Sequence, residues 1–273
     1  MKKVSLTIAM FALIFASSCK TENKKDTDTN AADQMEQEQD VSDEKSKITL
    51  TKMQGSPKFD DAALSMTKPT KDQVAAGEVE FQFDVENYEL GIPTETDSDL
   101  GIAESKKGQH VHFIVDNNPY SAHYEDSFTK NLEEGDHTVL AFLSRSYHEA
   151  VKNKNAYVIK KLSVGDVSEE NKLDVDFSAP HMFYSRPKGT YSGKDTQKVM
   201  LDFYLLNTDL SDGGNKVKAT INGEEFMITE WTPYVMEGLP MGENTVQLEL
   251  LDADNNRVES PYNPVTRTFT LEK

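Results

Sequence analysis

Apolar residues recur at alternate positions in a series of short runs, and the runs occur twice. Phe81, Phe83 and Val85 in one set correspond to Leu201, Phe203 and Leu205 in another. Val111, Phe113 and Val115 correspond to Val217, Ala219 and Ile221, and Val139, Ala141 and Leu143 to Val246, Leu248 and Leu250. A period of two points every second side chain to the same side and predicts strands with one buried face. The spacing Leu132-x-x-Gly135-x-x-Thr138-Val139 is repeated as Leu239-x-x-Gly242-x-x-Thr245-Val246. A leucine, a turn and a long penultimate strand resemble the E–F corner of immunoglobulin-like and fibronectin-like modules. A duplicated unit of roughly 80 to 100 residues built this way predicts two sandwiches in series. In that nomenclature strand B of the first copy lies near 79–86, C near 110–116, F near 137–143 and G near 156–164.

The expected fold is therefore all-β, with two tandem immunoglobulin-like or fibronectin-like β-sandwiches after a disordered acidic tether. The first sandwich is placed at 60–165, a linker at 166–180 and the second sandwich at 181–273. Inward positions agree between the copies, but outward positions do not. On the outer face of the G–F–C sheet the second copy carries Lys216, Lys218, Thr220, Gln247, Glu249, Thr266 and Thr268, a solvated set. The first copy carries His110, His112, Ile114, Leu140, Phe142, Tyr157 and Ile159 there. An apolar face of that size is not left open on a soluble domain. Its cover is expected to be the second domain, the aromatic stretch around Phe177, Met182, Phe183 and Tyr184, or a bound partner.

Loop lengths point to one end of the first sandwich. Its B–C connection, 87–109, is far longer than TDLSDGGN in the second copy, and long loops in compact domains are often functional. The F–G connection, 144–155, emerges at the same end. Arg145, Tyr147 and His148 are thus expected beside His110 and His112, and these five are the candidate ligand-binding residues. His110 and His112 lie two apart on a strand, roughly 6 to 7 Å by strand rise, so their rings share a side. With His148 they form a candidate copper or zinc site. Arg145 beside His148 also suits a phosphoryl group, because a guanidinium fork matches its oxygens.

The N-terminus changes the compartment. Lys2 and Lys3 precede an apolar run from Val4 to Phe15 and then Ala16-Ser17-Ser18-Cys19. This pattern predicts an export signal over 1–18 and lipidation of Cys19, the chain's single cysteine. Residues 19–50 are poor in large apolar side chains and are expected to be a disordered tether. The expected localisation is the cell envelope, on the extracytoplasmic side, with the membrane as a partner through the N-terminal lipid. A formal charge of −18 argues against nucleic acid.

Four stretches, GQHVHFIVDNNPY, VLAFLSRSYHE, HMFYSRPKGTY and GLPMGENTVQLELLD, resemble lipid-anchored proteins of Bacteroidota-type bacteria with tandem immunoglobulin-like domains, often labelled phosphopeptide-binding. The resemblance implies an envelope binding or scaffold protein whose partner is a peptide or phosphorylated peptide. The residues themselves support a metal-binding lipoprotein as the alternative. No glycine-framed serine, H-E-x-x-H or phosphate-cradling glycine loop occurs, so neither enzymatic activity nor a cofactor beyond a metal ion is expected.

Overall fold

The computed structural model describes residues 47–97 and 99–273. The signal 1–18, Cys19 and most of the tether lie outside the described residues. Strands are numbered in chain order. They are β1 (Thr49–Lys52), β2 (Ala63–Lys68), β3 (Gln73–Val74), β4 (Gly77–Glu86), β5 (His110–Val115), β6 (Ser121–His123), β7 (Ser127–Leu132), β8 (Gly135–Ser144) and β9 (Tyr157–Val164). They continue as β10 (His181–Arg186), β11 (Gly189–Ser192), β12 (Val199–Leu206), β13 (Lys216–Ile221), β14 (Glu224–Ile228), β15 (Tyr234–Glu237), β16 (Gly242–Leu251) and β17 (Val265–Glu272).

Each copy forms two sheets. The first sandwich pairs β2-β4-β7 with β3-β9-β8-β5-β6, and the second pairs β1-β15-β12-β10 with β11-β17-β16-β13-β14. In both, the chain changes sheet at a proline that lacks a ladder donor, Pro69 between β2 and β3 and Pro187 between β10 and β11. The strand after the switch then runs parallel to the last strand of its unit, β3 along β9 and β11 along β17. The alternating apolar sets fill the two cores as expected. Phe81, Phe83, Val111, Phe113, Val139 and Leu143 lie in the first, and Leu201, Phe203, Val217, Ile221, Val246 and Leu250 in the second.

One boundary is corrected. The tether placed at 19–50 runs into structure at Ile48, which is buried in the core of the second sandwich, and Thr49 and Leu50 belong to β1. β1 pairs antiparallel with β15, from Thr49 opposite Glu237 to Lys52 opposite Tyr234. The described residues therefore begin on the second sandwich before the chain crosses to build the first. A four-residue strand whose own residues are mostly exposed has no periodicity to betray it.

The apolar outer face of β5, β8 and β9 is covered from within the chain. Ile114, Leu140, Phe142 and Ala150 of the first sandwich pack with Phe183, Tyr204, Leu206 and Tyr262 of the second in one buried cluster. Phe183, Tyr204 and Leu206 are the outward residues of β10 and β12, alternating with Met182, Phe203 and Leu205 in the second core. Phe142 stacks on Tyr204 with centroids 4.6 Å apart. Polar bonds fix the register of the junction. The Asp202 carboxylate accepts from the Ala150 backbone N–H at 2.9 Å and from Lys152 Nζ at 2.7 Å. Tyr262 Oη donates to Thr138 Oγ1 at 2.6 Å, and the Tyr184 N–H donates to Asn117 Oδ1 at 2.9 Å.

Candidate metal centre

β5 starts at His110, and the strand period turns His110 and His112 to the same side, toward the second sandwich. Both are completely buried. The third ring comes from the loop between β8 and β9. Ser144 pairs with Ala150 across that loop, and the His148 N–H donates to the Arg145 carbonyl at 2.8 Å. His148 has φ of +71°, a left-handed conformation uncommon for a residue with a Cβ. This tight turn carries its ring back over β5. His112 Nε2 then lies 2.9 Å from His110 Nε2, and His148 Nδ1 lies 3.1 Å from the same atom. One nitrogen from each ring falls within 4.8 Å of the other two.

The far nitrogens of the two strand histidines have partners of their own. His110 Nδ1 donates to the Gly108 carbonyl at 2.8 Å, which leaves the Nε2 lone pair facing the cluster. His112 Nδ1 lies 3.3 Å from Ser185 Oγ, a residue of β10 in the second sandwich. Gly108 holds its carbonyl in place because only glycine fits there. Its φ is +88°, and a Cβ would fall 2.3 Å from the Ile92 carbonyl oxygen. Backbone bonds Gln109 N–H to Ile92 O and Gly91 N–H to Gln109 O tie the long B–C loop to the start of β5 at that point.

Aromatic walls enclose the rings. Tyr120 stacks on His112 at 3.5 Å with planes 16° apart, and Phe142 meets the same ring edge-on at 5.2 Å. Tyr124 lies 5.0 Å from His110. Tyr120 Oη is 3.2 Å from His148 Nδ1. Burial, reinforced by the positive charges of Arg186 and Lys188, disfavours the imidazolium. His110 is lowered to about 4 despite its bond to Gly108, and His112 and His148 are likewise pushed well below the ordinary value, by burial first. All three are neutral at ordinary pH, the form that ligates metal.

Three of the five predicted site residues meet, and two do not. Arg145 is buried, with Nη1 donating to the Ala150 carbonyl at 3.0 Å, Nε to the Pro57 carbonyl at 3.2 Å, and an ion pair to Glu149 at 3.3 Å. Its guanidinium clamps the F–G loop to the segment entering the first sandwich and is not free for a phosphate. Tyr147 is also buried, packed with Met53, Ile102, Met200 and Val235 at the junction of the sandwiches. Both were expected beside His110 and His112 as ligand-binding residues. The loop instead lies against β12, because Asp202 anchors its backbone. The other histidines have separate roles. His123 stacks on Phe128, His137 bonds Asp116, and His181 bonds Ser260.

Ser185, Tyr120 and Gly108 were not legible as site residues. Ser185 is distant in sequence and reaches His112 only because the sandwiches dock. Arg186 and Lys188 flank Pro187 at the turn after β10, where nothing local in sequence ties them to β5.

The fold and site together define an all-β protein of tandem immunoglobulin-like or fibronectin-like sandwiches with a buried three-histidine cluster between them. No protein-family model matches the chain, and no curated protein matches it. Among solved structures it is similar to fibronectin(III)-like modules of CbhA from Clostridium thermocellum, at 11% identity over 77% of this chain and 94% of that one, with a TM-score of 0.27. It is also similar to SGBP-B of the Bacteroides ovatus mixed-linkage glucan utilization locus, at 12% identity over 76% of this chain and 47% of that one, TM-score 0.23. The central fibronectin-III array of RIM-binding protein matches at 10% identity over 81% and 70%, TM-score 0.25. Likeness at this level says nothing about what the chain binds.

Proposed function

We propose that this is a lipid-anchored, extracytoplasmic metal-binding protein that holds one copper or zinc ion on His110, His112 and His148 and carries out no reaction of its own. The observation that carries this reading is the convergence of three neutral imidazole nitrogens within 4.8 Å. An ion bound at about 2.0 to 2.1 Å from each imidazole nitrogen at near-tetrahedral angles spans nitrogen pairs roughly 3.4 Å apart. The pairs at 2.9 and 3.1 Å must open slightly and the His112–His148 pair, within 4.8 Å, must close, which rotation of the loop-borne His148 ring would supply. The Gly108 carbonyl and Ser185 hydroxyl sit on the far nitrogens, where supports of ligating histidines are found.

The competing reading, capture of a phosphorylated peptide, requires an accessible guanidinium near His148, and Arg145 is committed to Glu149 and two carbonyls. The anchor rests on the sequence around Cys19. Equilibrium dialysis of the purified protein against zinc and, separately, copper, followed by elemental analysis, tests the reading. One ion per chain is expected, with binding lost in His110→Gln and His112→Gln. Background metal content in the unaltered protein would mean that the three rings only bond one another.

A further inference from the structure

The charges around the three rings bear on which ion can sit there. Among the described residues the cluster consists of three histidines and no carboxylate or thiolate. The charged groups that act on the rings are Arg186 and Lys188, both positive. Arg186 is buried, with Nη1 donating to Tyr191 Oη at 2.8 Å and its guanidinium over the Tyr120 ring. Lys188 Nζ donates to the Tyr120 carbonyl at 2.7 Å and sits 3.9 Å from the centre of the same ring. Tyr120, the wall stacked on His112, thus separates the cluster from two cations. Its phenol is held neutral by burial, so it adds no negative charge to the ligand set.

A divalent ion on three neutral ligands keeps its full charge, and here two of the three rings are completely buried. The desolvation cost of an ion rises with the square of its charge, and its repulsion from Arg186 and Lys188 rises in proportion to it. Zinc sites of this kind relieve the problem with a carboxylate, a thiolate or a bound hydroxide. This one supplies neither a carboxylate nor a thiolate, and the rings of Tyr120, Phe142 and Tyr124 wall the two strand histidines. A monovalent ion that accepts three neutral nitrogens meets a fourfold smaller desolvation term and half the repulsion.

Building on the metal-binding function proposed above, we infer that the resident ion is monovalent copper, and that Arg186 and Lys188 select against divalent metals. The single strand supplies two rigid ligands and the half-buried His148 supplies the third, so the loop is the side from which the ion enters and leaves. A three-histidine site of this form suits holding and handing on the ion.

The test titrates the purified protein anaerobically with copper(I) against a chromophoric copper(I) chelator, and with zinc against a zinc indicator. Copper(I) is expected to bind one per chain at least 100-fold more tightly than zinc, with an absorption edge and fine structure of three nitrogen neighbours. Zinc binding as tight as copper(I), or tighter, overturns the inference and leaves the metal-binding function standing. Binding of neither ion removes both. The charge argument has its own arm, because it predicts a graded change at a residue that touches no ligand. Lys188→Gln and then Lys188→Glu should raise zinc affinity relative to copper(I), by at least 10-fold in the second. An unchanged ratio in two variants with unaltered circular dichroism would show that these cations do not choose the ion.

Discussion

Tyr204 offers the sharpest test of whether the two sandwiches are one cooperative body. Its ring is buried at the junction, stacked on Phe142 at 4.6 Å, tilted against Tyr157 at 5.4 Å and edge-on to Trp231 at 5.2 Å. Truncating a buried aromatic to alanine costs about 3 to 5 kcal/mol, and pairs of this geometry add about 0.5 to 1.5 kcal/mol beyond area. Tyr204→Ala should therefore fall near the upper end, about 4 to 5 kcal/mol. The hydroxyl has the opposite sign. It is buried without a hydrogen-bond partner among the described residues, and an unpaired buried polar group costs about 1 to 3 kcal/mol. Tyr204→Phe keeps the ring and sheds that cost, so it should stabilise by about 1 kcal/mol.

The assay is urea unfolding followed by two probes. Trp231 is the chain's single tryptophan, and its Nε1 donates to the Phe203 carbonyl at 2.9 Å, so its fluorescence reports the junction. Far-ultraviolet circular dichroism reports all the strands. With a slope of about 3 kcal/mol per M, the alanine variant should lose about 1.5 M in midpoint or split into two transitions. The unaltered protein should show coincident curves by both probes. Separate midpoints in the unaltered protein, or a loss below about 1 kcal/mol in Tyr204→Ala, would refute the reading that docking of the two sandwiches is a structural necessity.

Asp202→Ala should cost about 3 kcal/mol, the low end for breaking a buried ion pair, because Lys152 can turn its ammonium to water; a melt of the variant checks it. Arg145→Ala should likewise cost more than about 2 kcal/mol, since it strands the buried Glu149 carboxylate, and a change within 0.5 kcal/mol in urea would mean the loop is a surface feature after all. For His137, burial lowers the pKa, but the Asp116 carboxylate at 2.6 Å and the Glu133 carbonyl outweigh it and raise the net value. A raised folded pKa contributes stability in full below the unfolded value of about 6.5 and loses it as pH climbs through the folded value. The stability gap between the unaltered protein and His137→Gln should therefore shrink from pH 5.5 toward pH 9, and a constant gap in urea melts across that range would count against the pair. Cys19→Ala should move the protein from the membrane fraction to the soluble one, and retention in a high-salt membrane pellet would show that the signal was misread.

Much of the fold was legible because strand periodicity and duplication are local in sequence. The core sets beginning at Phe81 and Leu201 each name their own sheet, and the Asn222-Gly223 turn joins β13 to β14 as its composition demands. The oddness of the first copy's outer face was legible too, by subtraction: where Lys218 and Glu249 form an ion pair on one copy, the other has His112 and Phe142. What covers that face was not, since Tyr204 and Phe183 look like ordinary members of apolar strands until both faces of β12 are seen to be buried. The same holds for the site. His110 and His112 follow from the strand period, and His148 from loops that share an end. Arg145 and Tyr147 misled because loop position alone does not tell which side chains turn inward, and here Glu149 and Met53 were waiting for them.

The divergence of the two copies gives the site its logic. A sheet face that in one copy carries the partly buried ion pairs of Glu249 is apolar in the other, and docking the second sandwich on it excludes water from His110 and His112 while bringing Ser185 to the second ring. Docking buries His110 and His112 and brings Ser185 to the second ring, so an ion held by the three imidazoles stabilises the docked state to the extent that docking tightens its binding. A ligand at a thousand times its dissociation constant adds about 4 kcal/mol in this way, comparable to the loss assigned to Tyr204→Ala. Metal should accordingly rescue that variant: an ion that restores its midpoint would place binding and docking on one equilibrium, whereas full metal affinity in a chain whose sandwiches have come apart would show that β5 and the loop form the site without help.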